Sequence, residues 1–341
     1  MSQAATTGIQ GRDGGGTDAG HDREHWAKRL ARLAAPFIGL LIVVGVFTAM
    51  EPEAFLSVRN GRTIAIQTVV VGIGAIGMCF VIVSGGIDLS IGSVIALAGV
   101  TGAMTLDAGG GATAAVLVAA TTGVACGLVN GGLVTGLRIP PFIVTLGMLG
   151  IARGLAKLLA DNQRIAPPAE SLGWLEGFVD KTPDLAWLLV APAVWCLLLT
   201  AIAAGFVLRR TAFGVQVVSI GSSEPTARLC GVPVARTKIL VYAVCGLGAG
   251  LAGAVMLGRL GVGDPTTAVG LELSIIAAVV IGGASLSGGE GGILGTMIGA
   301  FMLSSLDAGC NLAGIDNSVQ DIIIGGIIVA AVTIDGLRHR G

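Results

Sequence analysis

The chain has 341 residues, of which 53% are hydrophobic and only 12% are charged, and its formal net charge is −1. Because soluble domains carry about a quarter charged residues, this composition excludes an ordinary soluble protein and indicates lipid as the solvent. The near-zero net charge gives no indication of a nucleic-acid-binding surface. The 56 glycines fit closely packed membrane helices, in which small residues let the backbones approach.

Residues 1–33 form a polar, Gly-rich segment that ends in a basic stretch. Such a composition buries too little apolar surface to fold, so we expect a disordered cytoplasmic tail. The segment also lacks the basic-then-apolar layout of a signal peptide. The remainder, 34–338, is predicted to be a transmembrane domain.

Apolar segments follow the tail in close succession, and a spanning helix needs about 20 mostly apolar residues. They predict an all-α polytopic membrane protein with about ten transmembrane helices, in the range of about 8–10. The long segments are Ala34–Met50, Ile64–Val83, Ala112–Thr135, Trp187–Leu208 and Ile239–Leu257. The short ones are Ile91–Leu106, Phe142–Ala160, Leu273–Ile281, Ile293–Leu306 and Val319–Ile334.

The distribution of lysine and arginine sets the expected orientation, because cytoplasmic loops carry an excess of both. Placing the N-terminus inside puts most of the basic residues on the inner side, including those of the loop 209–238. Both termini are then cytoplasmic. The longest predicted outer segment, Asp161–Leu185, fits either an interfacial loop or a surface for a soluble partner.

The string LSGGE at Leu286–Glu290 differs by one residue from LSGGQ, the signature peptide of ABC-type ATPases. An ATPase also needs a phosphate-binding loop that ends in Gly-Lys-Ser or Gly-Lys-Thr. No lysine of this chain follows a glycine. We therefore expect no ATP site here and look for another origin of the string.

That origin is an internal repeat. Gly85–Gly92 reads GGIDLSIG and Gly282–Gly289 reads GGASLSGG, each between two apolar runs. Glycines at corresponding places in two halves mark interrupted helices in transporters. The repeat predicts two weakly similar halves, about 34–186 and 187–338, with interrupted helices. The candidate gate residues are Gly85, Gly86, Asp88, Ser90, Gly282, Gly283, Ser285 and Ser287.

Three polar residues near predicted helices have two interpretations each. Asp88 either helps to cap the helix that follows or acts as a gate or coupling residue, since charges at membrane depth tend to be functional. Asn130 and Asn311 either hydrogen-bond a neighbouring helix or line a hydrophilic pathway. Ser285 replaces the aspartate in the second repeat, which argues against a mechanism with a symmetric pair of acids.

The cytoplasmic loop 209–238 contains the signals of a short helix, Ser223–Cys230. Ser222 or Ser223 suits the N-cap, Pro225 suits the first turn, and Gly231 suits a left-handed C-terminus. Glu224 and Arg228 are spaced as an i,i+4 pair. Such a helix is either a solvated connection or a docking element for a partner.

The strings VIVSGGIDLSIGSVIALAG, RIPPFIVTLGMLGIARGLA, EPTARLCGVPVARTKILVYAVCGL and ELSIIAAVVIGGASLSGGEGGILGTMIGA resemble ABC importer permeases of the monosaccharide class. This class covers ribose, xylose and autoinducer-2 within the branched-chain amino acid/ribose permease superfamily. The resemblance runs from about residue 34 to 338. EPTARLCG is similar to the EAA-type loop that contacts the ATPase, although Pro225 replaces a small residue.

The resemblance implies a non-enzymatic permease subunit in a bacterial inner membrane that imports a ribose-like sugar. It implies three partners: a tandem-cassette ATPase inside, a sugar-binding protein outside, and a second permease copy, as a homodimer or a close heterodimer. ATP and Mg²⁺ would bind in the ATPase, and no cofactor in this chain. The expected ATPase-coupling residues are Ser223, Glu224, Pro225, Ala227, Arg228 and Gly231. The alternatives are a permease for nucleosides or branched-chain amino acids and a secondary carrier without an ATPase.

Overall fold

The computed structural model describes residues 36–180 and 190–338. The predicted tail, 1–33, lies outside these ranges. Within them the chain folds into helices, and its only β-type pairing is an isolated bridge between Ile165 and Gly263. The all-α prediction is confirmed.

The helices follow the apolar segments closely. In chain order they are α1 (Pro36–Met50), α2 (Pro52–Phe55), α3 (Val58–Val83), α4 (Ile91–Asp107), α5 (Ala112–Gly136), α6 (Pro141–Leu159), α7 (Trp174–Val179), α8 (Pro192–Arg210), α9 (Ala212–Ser222), α10 (Glu224–Leu229), α11 (Val234–Leu260), α12 (Leu271–Ile281), α13 (Ile293–Leu312) and α14 (Asn317–Arg338). A 3₁₀ turn, Ala169–Leu172, precedes α7.

Six of the described helices are long and apolar enough to cross a membrane, namely α3, α5, α6, α8, α11 and α13. The chain is therefore a multi-pass membrane protein. The four remaining predicted passes correspond to α1, α4, α12 and α14, which are shorter or less continuously apolar. The total of ten passes stays a prediction.

The centre of the molecule is built on α11, which packs against α3, α4 and α5. The contact with α5 is made backbone to backbone: a Cβ added at Gly123 would lie 2.1 Å from the carbonyl oxygen of Gly246. No larger residue fits there without separating the helices. This is the small-residue packing that the glycine content indicates.

The two glycine repeats lie at reversals of the chain, which corrects the prediction of interrupted helices at these points. Ala278 of α12 faces Gly299 of α13, and Gly282 faces Gly295, so the two helices are antiparallel. Along α11, Ile73 of α3 contacts Gly248 and Gly77 contacts Cys245, so α3 runs antiparallel to α11. Ile95 of α4 contacts Gly253 and Gly102 contacts Leu257, so α4 runs parallel to α11. α3 and α4 therefore also run in opposite directions. A sequence repeat alone does not distinguish a break from a reversal.

A non-helical stretch that the sequence did not predict lies between α11 and α12. Gly263 lies beside Ala103, near the end of α4, and Ala268 lies beside Gly92, near its start. The chain therefore runs back along α4 through a series of turns before α12 begins. Arg153 donates to the carbonyls of Pro265 (2.8 Å) and Thr267 (2.7 Å). These bonds satisfy backbone acceptors that a helix would have satisfied internally.

Candidate coupling site and glycine junction

The short helix α10 forms as its sequence signals predict. Ser223 is the N-cap, and its hydroxyl accepts from the amide of Thr226 at 3.4 Å. Gly231 ends the helix with φ +81°, and the amides of Gly231 and Val232 donate to the carbonyls of Arg228 and Ala227. This pair of bonds is a Schellman motif, which favours glycine at the left-handed position.

Glu224 ties α10 to its surroundings. One carboxylate oxygen accepts from Arg228 at 2.7 Å within the helix, and the other accepts from Lys238 of α11 at 2.6 Å. The hydrogen bond from Lys238 is the main cause that holds the pKa of Glu224 below its usual range. A depressed pKa means that the ion pair is present above the ordinary carboxyl pKa and is lost only as the pH falls through the lower value. At neutral pH the Glu224–Lys238 ion pair therefore fixes α10 to the first turns of α11.

The two faces of α10 differ. Ala227 is buried in a small cluster with Ile220 of α9 and Val234 of α11. Leu229 is 89% exposed, and with Glu224, Pro225 and Arg228 it lines an open surface concavity. An exposed leucine beside a charged pair, on a helix whose opposite face packs against α9 and α11, is suited to contact another protein.

The helix before α10 brings both reversals together at one point. The amide of Gly289 donates to the carbonyl of Val83, the last residue of α3, at 2.9 Å. Gly221 of α9 lies against this bond, since a Cβ on it would be 1.9 Å from the Val83 oxygen and 2.4 Å from the Gly289 nitrogen. A Cβ at Gly85 would be 3.7 Å from the Gly221 Cα. We call this contact of Val83, Gly85, Gly221, Gly288 and Gly289 the glycine junction.

The first reversal holds a buried polar chain. Asp88 Oδ1 accepts from the amide of Ser90 at 2.9 Å and from its hydroxyl at 2.6 Å, and that hydroxyl in turn accepts from Asn130 Nδ2 at 3.0 Å. All three residues are buried. Ser90 occupies the N-cap position of α4 but makes no side-chain capping bond. The Asp88 side chain thus orders the turn before α4 and, through Ser90, connects it to α5.

The second reversal repeats this local geometry with weaker groups. Ser285 Oγ accepts from the amide of Ser287 at 3.3 Å, as Asp88 accepts from Ser90. Both preceding helices end in a Schellman pair, in which Gly85 and Gly283 have positive φ. The positive φ falls on the first glycine of the pair in the first repeat (Gly85) but on the second glycine in the second repeat (Gly283), because Gly282 has a φ of −64°. The residues of the repeat therefore serve similar turns.

The predicted residues fall into two groups. Those of α10 and of the two reversals lie at one end of the bundle, which we call the α10 end, and Asn130 joins them through Ser90. Asn311 lies elsewhere: it is exposed near the end of α13 and donates to the carbonyl of Asp307 at 2.9 Å. The sequence reasoning missed Gly221 and the helix α9 that carries it. Only the length of the loop and its apolar start, AFGVQVVSIG, signalled another helix.

We expect Asp88→Ala to destabilise the protein by about 1–3 kcal/mol, because it leaves the buried amide and hydroxyl of Ser90 without their carboxyl acceptor. Asp107→Ala, at the exposed end of the same helix α4, is the matched control. Thermal unfolding of both variants in the same detergent measures the difference. Equal midpoints would contradict a structural role of Asp88.

The comparisons with known proteins place this multi-pass helical bundle in the permease class of transport proteins. The chain belongs to the family described as "Branched-chain amino acid transport system / permease component", whose profile matches residues 62–332. The resemblance to monosaccharide ABC importer permeases is confirmed by the relatives that follow. No solved structure matches the chain.

Three relatives illustrate the similarity. The chain is 37% identical over 323 residues to the ribose import permease protein RbsC of Escherichia coli K12, covering 93% of this chain and 98% of that protein. It is 35% identical to the L-arabinose transport system permease protein AraH of the same organism, covering 89% and 91%. It is 32% identical to the autoinducer 2 import system permease protein LsrC of Photorhabdus luminescens, covering 88% of each.

Proposed function

We propose that this chain is the permease subunit of an ATP-binding cassette importer that moves a monosaccharide, of the ribose or arabinose type, across the bacterial inner membrane. The observation that carries the proposal is α10, an exposed helix that an ion pair fixes to α11. α10 also packs against α9, and α9 contacts the glycine junction. The relatives named for ribose and L-arabinose support the sugar class. In this arrangement both termini and α10 face the cytoplasm.

The geometry suggests how a partner ATPase acts on the permease. Closure of a tandem-cassette ATPase would push on the exposed face of α10. The Glu224–Lys238 ion pair passes that force to α11, and α9 passes it to the two reversals at Gly221. The reversals begin α4 and α13, so their movement changes the packing of both halves. Two permease copies, a sugar-binding protein outside and the ATPase inside complete the importer.

This chain itself takes no part in hydrolysis in our proposal. We expect the purified permease to bind no ATP, because the LSGGE segment forms the second reversal and its glycines contact α9 rather than an open surface. Equilibrium binding of labelled ATP in the presence of Mg²⁺ measures this. Saturable binding by the permease alone would contradict the proposal.

The decisive experiment reconstitutes the permease in liposomes with a candidate tandem-cassette ATPase and a candidate sugar-binding protein from the same organism. ATP hydrolysis is then measured with D-ribose, L-arabinose, a nucleoside and leucine. Stimulation by a sugar supports the proposal, whereas stimulation by the nucleoside or leucine assigns the other substrate class of the superfamily. Uptake that needs no ATPase would make the chain a secondary carrier.

A further inference from the structure

A cavity of about 160 Å³ lies at the end of the bundle opposite α10. It is lined by residues of α3, α11, α12, α13 and α14, all within one chain. Half of its lining residues are polar or charged, which is unusual between apolar membrane helices. They are Gln67, Arg259, Ser274, Ser304, Asp307 and Gln320.

Several polar atoms of this cavity have no hydrogen-bond partner among the described residues. These are the side-chain oxygens of Gln67, Ser304 and Gln320. Ser304 is 2% exposed and Gln320 is 8% exposed, so bulk water does not cover them freely. Buried polar atoms normally find a partner, and these three lie on three helices beside one cavity. Each oxygen has an accessible surface below 1 Å², so a hydrogen-bond donor in the cavity reaches it only once the side chain rotates toward the cavity.

The charges of the cavity favour a neutral ligand. Arg259 and Asp307 both line it and carry opposite charges. Gln320 Nε2 donates to Asp307 Oδ1, which fixes the carboxamide with its oxygen left as an acceptor. A charged solute would meet an unfavourable partner in one of the two ions, whereas hydroxyl groups can donate to Asp307 and accept from Arg259.

Size and position agree with a small polyol. One water needs about 10–15 Å³ of such space, so the cavity accepts several waters or one solute of similar total size. Arg259 is 25 residues along α11 from Val234, and at 1.5 Å per residue the cavity lies about 37 Å from the α10 end. Gln67, Arg259, Ser274 and Asp307 are each partly exposed, which leaves the cavity open on that side.

We propose that this cavity is a monosaccharide-binding site inside a single permease subunit, at the end of the bundle that receives the solute. The site takes a neutral polyhydroxylated ring, whose hydroxyl groups would donate to the oxygens of Gln67, Ser304 and Gln320. Apolar neighbours such as Met256 and Leu303 line the rest of the wall and suit the C–H faces of the ring. The assignment of the ligand class rests on the proposed function of sugar import.

The adjacent serines of α13 provide a matched test. Ser304 lines the cavity without a partner, whereas Ser305 is equally buried but donates to the carbonyl of Phe301 at 2.8 Å. Ser304→Ala removes one ligand acceptor without breaking a bond in the protein. Ser304→Val in addition fills part of the cavity. Gln320→Leu removes a second acceptor, and Ser305→Ala is the control.

The measurement is equilibrium binding of radiolabelled D-ribose and L-arabinose to the full-length permease in lipid nanodiscs. We expect weak, saturable binding of at least one sugar, reduced about tenfold in Ser304→Val and Gln320→Leu, and less in Ser304→Ala. Ser305→Ala should bind as the wild type does. Binding that none of the variants at Ser304 and Gln320 weakens would overturn the site.

The absence of binding of both sugars to the permease would also overturn the site. The proposed function is tested separately, by stimulation of ATP hydrolysis in the complete complex with the same two sugars. A complex stimulated by D-ribose whose permease does not bind it refutes the cavity and keeps the importer. A complex stimulated only by leucine or a nucleoside refutes the sugar importer itself.

Discussion

Replacing Gly221 with alanine should abolish sugar-stimulated ATP hydrolysis and uptake while the chain still inserts into the membrane. The added Cβ would lie 1.9 Å from the carbonyl oxygen of Val83 and 2.4 Å from the amide nitrogen of Gly289. Both contacts are with backbone, so no side chain can rotate away. Relief requires α9 to separate from the two reversals, and such overpacking costs about 1–3 kcal/mol.

The matched control is Gly136→Ala, at the end of α5, where an added Cβ meets nothing within 4 Å. Alanine there should raise helix propensity slightly and leave transport unchanged. The readouts are uptake by proteoliposomes, stimulated ATP hydrolysis and the unfolding midpoint. Wild-type transport by Gly221→Ala would show that force from α10 does not pass through the glycine junction.

An intermediate result has a specific meaning. If Gly221→Ala retains basal ATP hydrolysis but loses stimulation by the loaded binding protein, docking of the ATPase is intact. The lost step then lies between α10 and the reversals. The bond from Gly289 to Val83 is the contact that the substitution disturbs.

The parts of the fold that depend on local sequence could be predicted. Long apolar runs gave the membrane helices, because hydrophobic length is a property of consecutive residues. The caps of α10 were equally local: Ser223 and Gly231 each act within a few residues of their own position. The helix also buries Ala227 as its only fully covered side chain, so little tertiary context decides its bounds.

The parts that depend on contacts across the chain could not be predicted. Nothing near Gly221 in sequence shows that Val83 and Gly289 lie against it, since these residues come from distant parts of the chain. The non-helical stretch before α12 was missed for the same reason. Arg153 of α6 supplies donors to its carbonyls, and no periodicity around Pro265 or Thr267 reveals that partner.

The internal repeat marks two similar turns, whereas the sequence analysis predicts interrupted helices at these points. Similar strings around Asp88 and Ser285 build similar turns, and this local similarity follows from sequence. Whether the flanking helices continue or reverse depends on what they pack against, and α11 and α13 decide that. Both repeats meet at one contact on the α10 end, and their role as gates stays a prediction.

Replacing Gly231 with proline should also abolish uptake, because this residue sets the end of α10. Its φ of +81° is outside the range of proline, which is fixed near −65°. Its amide donates to the carbonyl of Arg228 at 3.1 Å, and proline lacks that donor. The substitution destabilises the local structure by more than about 1 kcal/mol and displaces the exposed face of α10.

Gly231→Asn is the matched control, since asparagine tolerates the left-handed conformation and keeps the amide donor. It should retain most of the transport activity. Membrane insertion of both variants, measured by the yield of the folded chain in detergent, should equal that of the wild type. Loss of transport in Gly231→Asn as well would attribute the effect to lost flexibility or contact at Gly231, and would contradict a role through helix termination.

Glu224→Ala tests the ion pair between Glu224 and Lys238 that fixes α10 to α11, without changing the backbone. It removes the acceptor of both Lys238 and Arg228, so we expect uptake to fall about tenfold or more, equivalent to about 1.4 kcal/mol of coupling free energy. Lys238→Met breaks only the bond to α11 and should reproduce most of the loss, whereas Arg228→Met breaks the exposed i,i+4 pair and should cost less. If Arg228→Met is the more damaging variant, Glu224 and Arg228 act by contacting the partner ATPase, and the route of force to α11 through Lys238 is wrong.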